Sequence, residues 1–464
     1  MENAPSIYSE EKKEECGVMA AISKSKKPIA EMLYRGMLAV QHRGQDAAGL
    51  VMYDGSFYKK KGIGLVCEVV SEEDLRQPHW IGISQTRYPT TPTCTLSDVQ
   101  PSISGILAVA HNGHLANYPA LRKELEGKKY VFRGTVDSEV ILYLLSEKLE
   151  RGGSLQEATK HVMEKIDGAY SVVGIYDGQL FAFRDPHAIR PLVYGEGKDV
   201  VLVCSESIGL DINGVPYSGS IGPGELFIIN EKGKIWRESI IKKEARHCMF
   251  EYVYFSRPDS IINGRLVDGA RRELGRGLAK EAPANADVVI PIPDTARSAA
   301  IEYSRETRIP YVEGLIKNRY VGRTFIMPDQ DSRIKAVRMK INPIKSSVEG
   351  KKVVLIDDSI VRGTTIREIV AMVRGAGAKE IHLRVTCPPI ISPCFYGVDM
   401  PTYEELIADK KKIEEIKKYL GVDSLHYISL EGLKKAVGDE CCAGCLTGQY
   451  PTKEAGRLAK EGRG

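Results

Sequence analysis

The stretch VVLIDDSIVRGTTIREIV, Val353 to Val370, leaves the chain the fewest choices. An unbroken apolar, β-branched run wants burial on both faces, which a parallel sheet covered by helices supplies. The run ends in Asp357 and Asp358, crosses a loop from Ser359 to Thr365, and enters a helical pattern with apolar Ile366, Ile369, Val370 and Val373. Thr365, followed three residues later by Glu368, reads as a capping box. The paired acids therefore fall at the carboxyl edge of a strand, where doubly wound sheets bind ligands. Loop amides, hydroxyls and a helix N-terminus suit a phosphate, while the two carboxylates suit a ribose diol or, through Mg²⁺, a diphosphate. No GxxxxGK[ST] loop is present.

The sequence around that stretch has one texture and the first half has another. From Asn285, DVVIPIPD, a helix-like run from Thr295, IPYVEGL, KKVVLIDD with its helix, and EIHLRVTCPPI alternate strand with helix. Residues 16–250 instead carry short strand-like runs split by turn residues: CGVMAAI, GLVMY, HWIGISQTRY, GILAVAHNG, GAYSVVGIYDG, QLFAFRD, DVVLVCS and ELFIINEKG. Ala30–Ala39 and Ser138–Leu149 read there as helices. Antiparallel sheets with helices packed on them fit this pattern. A length of 464 residues calls for two or three domains, because single cores stop growing near ~250–300 residues. The expected division is a leader over 1–15, an α+β domain over 16–250, an α/β domain over 251–430 and a cysteine-bearing segment over 431–464.

A formal net charge of +4, spread along the chain, is no nucleic-acid footprint, so small anions and other subunits are the expected partners. No apolar run reaches the ~18 residues of a membrane span, and Met1 to Glu15 lacks the apolar core of a secretory signal. The default compartment is the cytoplasm. Ten cysteines scattered over this length make no disulfide framework.

The Val353–Val370 stretch resembles the signature of the type I phosphoribosyltransferases. The resemblance implies that Asp357 and Asp358 hold the ribose hydroxyls, and that Ser359, Arg362, Gly363, Thr364 and Thr365 bind the 5-phosphate. IPIPDTA is similar to the family's pyrophosphate loop, which assigns Asp294 and Thr295 to that group. In LIKNRYVGRTFI, the crowding of Lys317, Asn318, Arg319, Tyr320 and Arg323 around one glycine points to a lid over an anionic substrate. Lys317, Arg319 and Tyr320 are its expected substrate contacts, and Arg338 and Lys340 of VRMK reach toward the same region. Magnesium would be held at Thr295, Asp357 and Asp358.

KKEECGVMAAI places Cys16 between a charged leader and an apolar run. On its own Cys16 is either a core thiol or a nucleophile. Cleavage after Glu15 would give it an α-amine with a pKa near ~7.7–8.0, a base built into the same residue. QHRGQDAAG, QTRYPT, AHNGHLAN and GTVDSEV, taken with Cys16, resemble the class II, N-terminal-nucleophile glutamine amidotransferases. That resemblance assigns Arg87 to the α-carboxylate of glutamine, Asp137 to its α-amine, and Asn112 with the amide of Gly113 to an oxyanion hole. Gln41, Arg43 and Asp46 would brace the site, with His111 structural.

The order of the two halves, with CMFEYVYFSRPDS and CFYGVD, resembles the glutamine phosphoribosylpyrophosphate amidotransferase family. An N-terminal-nucleophile hydrolase domain of stacked antiparallel sheets between helices, followed by a type I phosphoribosyltransferase domain, is the implied fold. The implied reaction moves the amide nitrogen of glutamine to phosphoribosyl pyrophosphate and opens purine synthesis. Feedback by purine nucleotides and a homo-oligomer, tetramer or dimer, are implied partners. Cys442 and Cys445 form a CxxC whose chemistry alone leaves zinc, a redox pair or nothing open. Resemblance to the iron–sulfur branch implies a structural [4Fe–4S] cluster on Cys248, Cys394, Cys442 and Cys445, with Cys387 a buried thiol.

Overall fold

The computed structural model describes residues 16–88, 95–318, 339–400 and 402–462. Strict alternation organises the first half. In the strand Gly17–Ser23, Val18, Ala20 and Ile22 pack against Ala108, Ala110, Val173 and Ile175 of a second sheet, while Met19 and Ala21 pack on Leu33 and Met37 of the helix Ala30–Ala39. The first sheet runs, in spatial order, Tyr217–Ser220, Val193–Glu196, Val200–Cys204, Gly17–Ser23, Ile81–Arg87, Ala47–Tyr53 and Phe57–Ile63. The second runs Ile235–Ser239, Glu225–Ile229, Gln179–Arg184, Gly168–Tyr176, Leu107–Leu115 and Ser102–Ser104. Neighbours in both are antiparallel. Leu107 and Val109 turn the other way from Ala108 and meet the helices Ser138–Leu149 and Leu155–Lys165. The layers are thus helix, sheet, sheet, helix, the stacked antiparallel architecture expected from the sequence.

In the second half Val288–Pro291, Lys352–Asp357, Glu380–Val385 and Ser424–Tyr427 form a parallel sheet in that order. The chain leaves Val288–Pro291, crosses through the helix Arg297–Thr307 and bridges Tyr311 to Val289 on one side, then returns as Lys352–Asp357 on the other. That reversal is a topological switch point, and it opens a crevice between the carboxyl ends of Val288–Pro291 and Lys352–Asp357. The helix Thr364–Gly375 buries Ile366, Ile369, Val370 and Val373, as its period predicts.

Several local expectations shift. The strand read over IPYVEGL reduces to the bridge at Tyr311 and to Leu315–Lys317, which leaves the sheet and pairs with Ile341–Pro343 as a separate ribbon. The Thr365–Glu368 capping box does not form: the helix begins two residues earlier, Gly363 is its N-cap at φ 80°, and no side chain caps it. After Lys410 the chain forms the helix Ile413–Leu420, the strand Ser424–Tyr427 and the helix Leu430–Val437, with Gly421 at φ 71° ending the first helix.

The C-terminal segment ties the halves together. Cys441–Cys442 pairs in parallel with His247–Cys248, and the Glu454 N–H donates to Asp167 Oδ2 at 3.0 Å. One apolar core holds Ala169 and Ile189 from the first half together with Phe250, Ile390 and Leu446. Among the described residues no helix is long and apolar enough to cross a membrane.

Candidate active site

Cys16 lies at the start of the central strand of the first sheet, half-buried, with Sγ 3.9 Å from the Tyr88 carbonyl. The glycine after it is sterically required: a Cβ on Gly17 would stand 2.8 Å from Val40 Cγ2 and 2.9 Å from Thr86 Oγ1. Gly17 is in register with Thr86, so Cys16 and Arg87 emerge at the same sheet end. The carbonyl of Cys16 accepts from Arg43 Nε at 3.2 Å. Arg43 is itself buried between two carboxylates, donating to Glu206 at 2.6 Å and to Glu251 at 2.9 and 2.7 Å. Glu206 also accepts from His42 at 2.8 Å, the Arg257 N–H at 2.9 Å and the Ser260 hydroxyl at 2.8 Å. Burial alone would push the Glu206 carboxyl up, but His42 and Arg43 outweigh it and hold it well below the usual carboxylate range.

Facing Cys16, the second sheet contributes Asn112 and Gly113 from Leu107–Leu115. Gly113 has φ 139°, and a Cβ there would lie 1.9 Å from the Ala169 carbonyl oxygen, so only glycine fits. Gln85 bridges the sheets by donating to the His111 carbonyl at 3.0 Å. Asp137 sits immediately before the helix Ser138–Leu149, accepts from the Leu115 N–H at 3.2 Å, and lies 3.2 Å from His111 Nε2. Burial would raise its pKa; His111, His114 and Arg87 override that and keep it an anion. His111 Nδ1 lies 3.3 Å from Gln100 Oε1 on its other side. Arg87 Nε and both amide atoms of Asn112 are buried without a hydrogen-bond partner. Each such group costs about 1–3 kcal/mol unless something pairs with it. Arg87 Nε and the Asn112 carboxamide are thus left with the capacity to bind a ligand.

In the second half, Asp357, Asp358 and Ser359 leave the end of Lys352–Asp357. The Asp358 N–H donates to Asp357 Oδ1 at 2.9 Å and Ser359 Oγ to Asp358 Oδ1 at 2.6 Å. Thr386, from the next strand end, braces the pair through the Asp357 carbonyl at 3.0 Å. Thr364 Oγ1 is buried without a partner at the uncapped helix N-terminus, a donor set open to a phosphate. Arg362 does not point its charge at that end alone, since Nη2 is paired with Glu405 at 2.7 Å. Across the crevice, Asp294 follows a cis Pro293–Asp294 peptide and Thr295 lies next to it, half-buried. Lys317 Nζ lies 3.6 Å from Asp294 Oδ2, which brings the ribbon to the second loop. The Asn318 N–H donates to the Lys340 carbonyl at 2.7 Å and closes the base of that ribbon. Arg319, Tyr320, Arg323 and Arg338 lie outside the described residues, as do the 1–15 leader and Cys94.

The segments bearing the four cysteines expected to act together are brought into one region. Cys248 is in register with Cys442, and the Cys445 carbonyl accepts the N–H groups of Ile391 at 2.9 Å and Ser392 at 3.1 Å, which draws in the loop bearing Cys394. Burial pushes the Cys442 thiol up to about 12, with Cys394 and Cys441 adding to the effect. Cys445 is raised well above its ordinary value, by burial and then by Cys394, Cys387, Cys442 and Cys248. Among the described residues no three His, Cys, Asp or Glu side chains stand close enough together to hold an ion. Cys387 is buried, as expected.

Sequence reasoning gave no role to Glu206, Glu251, Arg190 or Glu405. Glu251 had a usable signal: a lone acid inside the apolar run CMFEYVYF is buried only if a cation comes with it. Glu206 and Glu405 sit in polar stretches that give no such hint.

Comparison with known proteins bears on both halves. A glutamine amidotransferase domain model matches residues 93–211, and a phosphoribosyl transferase domain model matches residues 264–417. An amidophosphoribosyltransferase from Methanothermobacter thermautotrophicus is 46% identical, covering 95% of this chain and 95% of its own. That of Bacillus subtilis is 42% identical over 95% of this chain and 94% of its own. The solved structure of B. subtilis glutamine phosphoribosylpyrophosphate amidotransferase complexed with ADP and GMP superimposes with a TM-score of 0.87 at 41% identity, over 95% of this chain and 98% of that one. With both domain models matched in the order the two sheets display, and with relatives this similar along nearly the whole length, the chain belongs to the amidophosphoribosyltransferase family.

Proposed function

We propose a division of labour for the reaction that family membership gives this chain: transfer of the amide nitrogen of glutamine to phosphoribosyl pyrophosphate, yielding 5-phosphoribosylamine, glutamate and pyrophosphate, the first committed step of purine biosynthesis. Glutamine binds in the first half, its α-carboxylate on Arg87 and its α-amine on Asp137. Removal of residues 1–15 exposes the α-amine of Cys16, which takes the thiol proton. The thiolate adds to the side-chain amide, and Asn112 with the Gly113 N–H stabilises the oxyanion. Ammonia leaves a glutamyl thioester that water hydrolyses to glutamate. The observation that carries this reading is the buried, unpartnered Nε of Arg87 at the sheet end it shares with Cys16, together with the unpartnered carboxamide of Asn112 on the facing sheet.

In the second half, Asp357 and Asp358 grip the ribose diol, while Ser359, Arg362, Gly363, Thr364 and Thr365 cradle the 5-phosphate. Arg362 exchanges Glu405 for that phosphate. Asp294, Thr295, Lys317, Arg319 and Tyr320 surround the pyrophosphate. Magnesium, held by Thr295, Asp357 and Asp358, would offset the charge of the leaving group. Ammonia delivered internally attacks C1 opposite the pyrophosphate, before water protonates and disperses it.

Cys248, Cys394, Cys442 and Cys445 would hold a [4Fe–4S] cluster, whose work is to pin the C-terminal segment between the halves, since neither half-reaction moves an electron. The donor set supports this: buried thiols raised by one another become good ligands only beside a cation. The ADP and GMP in complex with the B. subtilis relative support feedback by purine nucleotides at the phosphate cradle. A homo-oligomer in the cytoplasm completes the reading. The test is glutamine-dependent pyrophosphate release by anaerobically purified protein. Cys16→Ser should abolish it and leave release driven by free ammonia; loss of both would refute the two-site division.

A further inference from the structure

Arg190 lies in the loop that follows the strand Gln179–Arg184, with its side chain wholly buried. A guanidinium is kept from water only where its contacts offset the lost hydration. Nε donates to the Tyr396 carbonyl at 3.0 Å, Nη2 donates to the same oxygen, and Nη1 lies 3.6 Å from Glu251 Oε1. Tyr396 belongs to the loop that carries Cys394, which is drawn tight by the Tyr396 N–H donating to Cys394 Sγ at 3.4 Å and the Cys394 N–H donating to the Met400 carbonyl at 2.9 Å. The arginine thereby fixes the next residue, Gly397, against the first half. A Cβ built on Gly397 would lie 3.5 Å from the Gly113 carbonyl carbon, 3.5 Å from His114 Cβ and 3.2 Å from Arg190 Nη2, and its φ is 109°, so glycine is what lets this loop back onto the strand Leu107–Leu115. Arg190 also reaches that strand through its own backbone: its carbonyl accepts the Ser171 hydroxyl at 3.0 Å, and Ser171 is in register with Asn112. One buried residue therefore braces Asn112 through the paired strand and Gly113 through the Cys394 loop.

We propose that Arg190 and Gly397 are positioning residues of the oxyanion site: the loop bearing Cys394 is a rear wall against the Gly113 peptide, and Arg190 locks wall and strand together. The inference rests on the reading above in which Asn112 and the Gly113 N–H stabilise the oxyanion. Donors fixed in advance where charge will develop lose much of their effect when they are displaced. Gly113 has close backbone neighbours from two segments, Ala169 on the paired strand and Gly397 on the loop, so a loop that backs away leaves the Gly113 peptide held from the strand alone.

The test compares glutamate release, alkylation of Cys16 by iodoacetamide and ammonia-driven pyrophosphate release in wild-type and Gly397→Ala holoenzyme. Outright removal of an oxyanion donor costs about 10²–10³-fold in kcat, so displacement should lower kcat for glutamate release roughly 10-fold, with KM for glutamine within about twofold. Alkylation joins the thiolate to carbon as iodide leaves and forms no oxyanion, so its rate, read by mass on the Cys16 peptide, should stay within about twofold, as should the ammonia reaction. Arg190→Lys keeps the charge but loses the two-nitrogen grip on Tyr396, and should lower kcat for glutamate release by a similar factor. An unchanged kcat in either variant, or a loss shared equally by alkylation and the ammonia reaction, overturns the positioning role. Should these variants not fold, Ser171→Ala removes the bond between Arg190 and the strand paired with Asn112; a fall in kcat of about threefold or more at constant KM is then expected, and no fall overturns the proposal. Asn112→Ala separates the two readings: if it leaves kcat intact, the oxyanion reading itself fails, whereas a slow Asn112→Ala beside an unchanged Gly397→Ala refutes the positioning role alone.

Discussion

Around Cys16, Arg43, Arg87 and Asn112 are 1%, 4% and 1% exposed, whereas at the phosphoribosyl crevice the side chains of Asp294 and Lys317 are 48% and 42% exposed. The first site stands on strands in the middle of two packed sheets, and a buried ion network fixes its charges before any substrate arrives. The second stands on loops at the ends of parallel strands, with one expected phosphate ligand, Arg362, held by Glu405. The difference teaches where each site meets its electrostatic cost. The glutamine site meets it on folding, and so is preorganised; the crevice meets it when a highly charged substrate gathers its ligands.

Four substitutions can break or sharpen that contrast. The largest effect is expected at Cys16→Ser, with glutamine-driven turnover down by about four orders of magnitude or more and ammonia-driven turnover kept, as single-site kinetics on both nitrogen sources would show. Glu206→Gln leaves Arg43 short of a buried partner and should cost about 3–5 kcal/mol in denaturant unfolding at pH 7. The pH dependence has a definite sign. The folded carboxyl of Glu206 lies below its unfolded pKa of ~4.3, so its stabilisation is complete above that value and is lost as pH falls below it; the variant should show a flatter acid limb. Gly113→Ala, forced against the Ala169 carbonyl at a positive φ, should cost about 1–3 kcal/mol and depress only the glutamine reaction. Arg362→Ala is the mildest: because its ion pair is partly exposed, stability should change by under about 1 kcal/mol, while KM for phosphoribosyl pyrophosphate rises roughly 10-fold. An Arg362→Ala enzyme with unaltered KM, or a Glu206→Gln protein as stable as wild type, would remove the distinction between a prebuilt site and a substrate-assembled one.

Most of the fold was legible because period-2 and period-3.6 patterns are strong here. The helices Ala30–Ala39 and Ser138–Leu149 form over the residues that their patterns mark. The strand Ser424–Tyr427 was not legible, since SLHY is only four residues, too short for its alternation to stand out, and becomes a strand only by adding to the edge of Glu380–Val385. The capping box failed for a related reason. Thr365 has the right spacing to Glu368, but Gly363 at φ 80° starts the helix earlier and leaves its amides uncapped.

At the sites, sequence marked the candidate residues, because an acid pair at a strand end or a cysteine beside a glycine is recognisable from its neighbours in the chain. It could not mark what holds them. Glu251 and Arg43 are separated by 208 positions, and Arg362 and Glu405 by dozens, so each pair exists only after distant segments pack. Sequence by itself determined the two architectures, through periodicity and turn residues, and which reactive groups are candidates. Tertiary structure alone decided the switch-point crevice, the pairing of the Cys248 and Cys442 segments and the buried network between the halves, because burial and low dielectric turn unremarkable carboxylates into fixed charges only once the surrounding chain has excluded water.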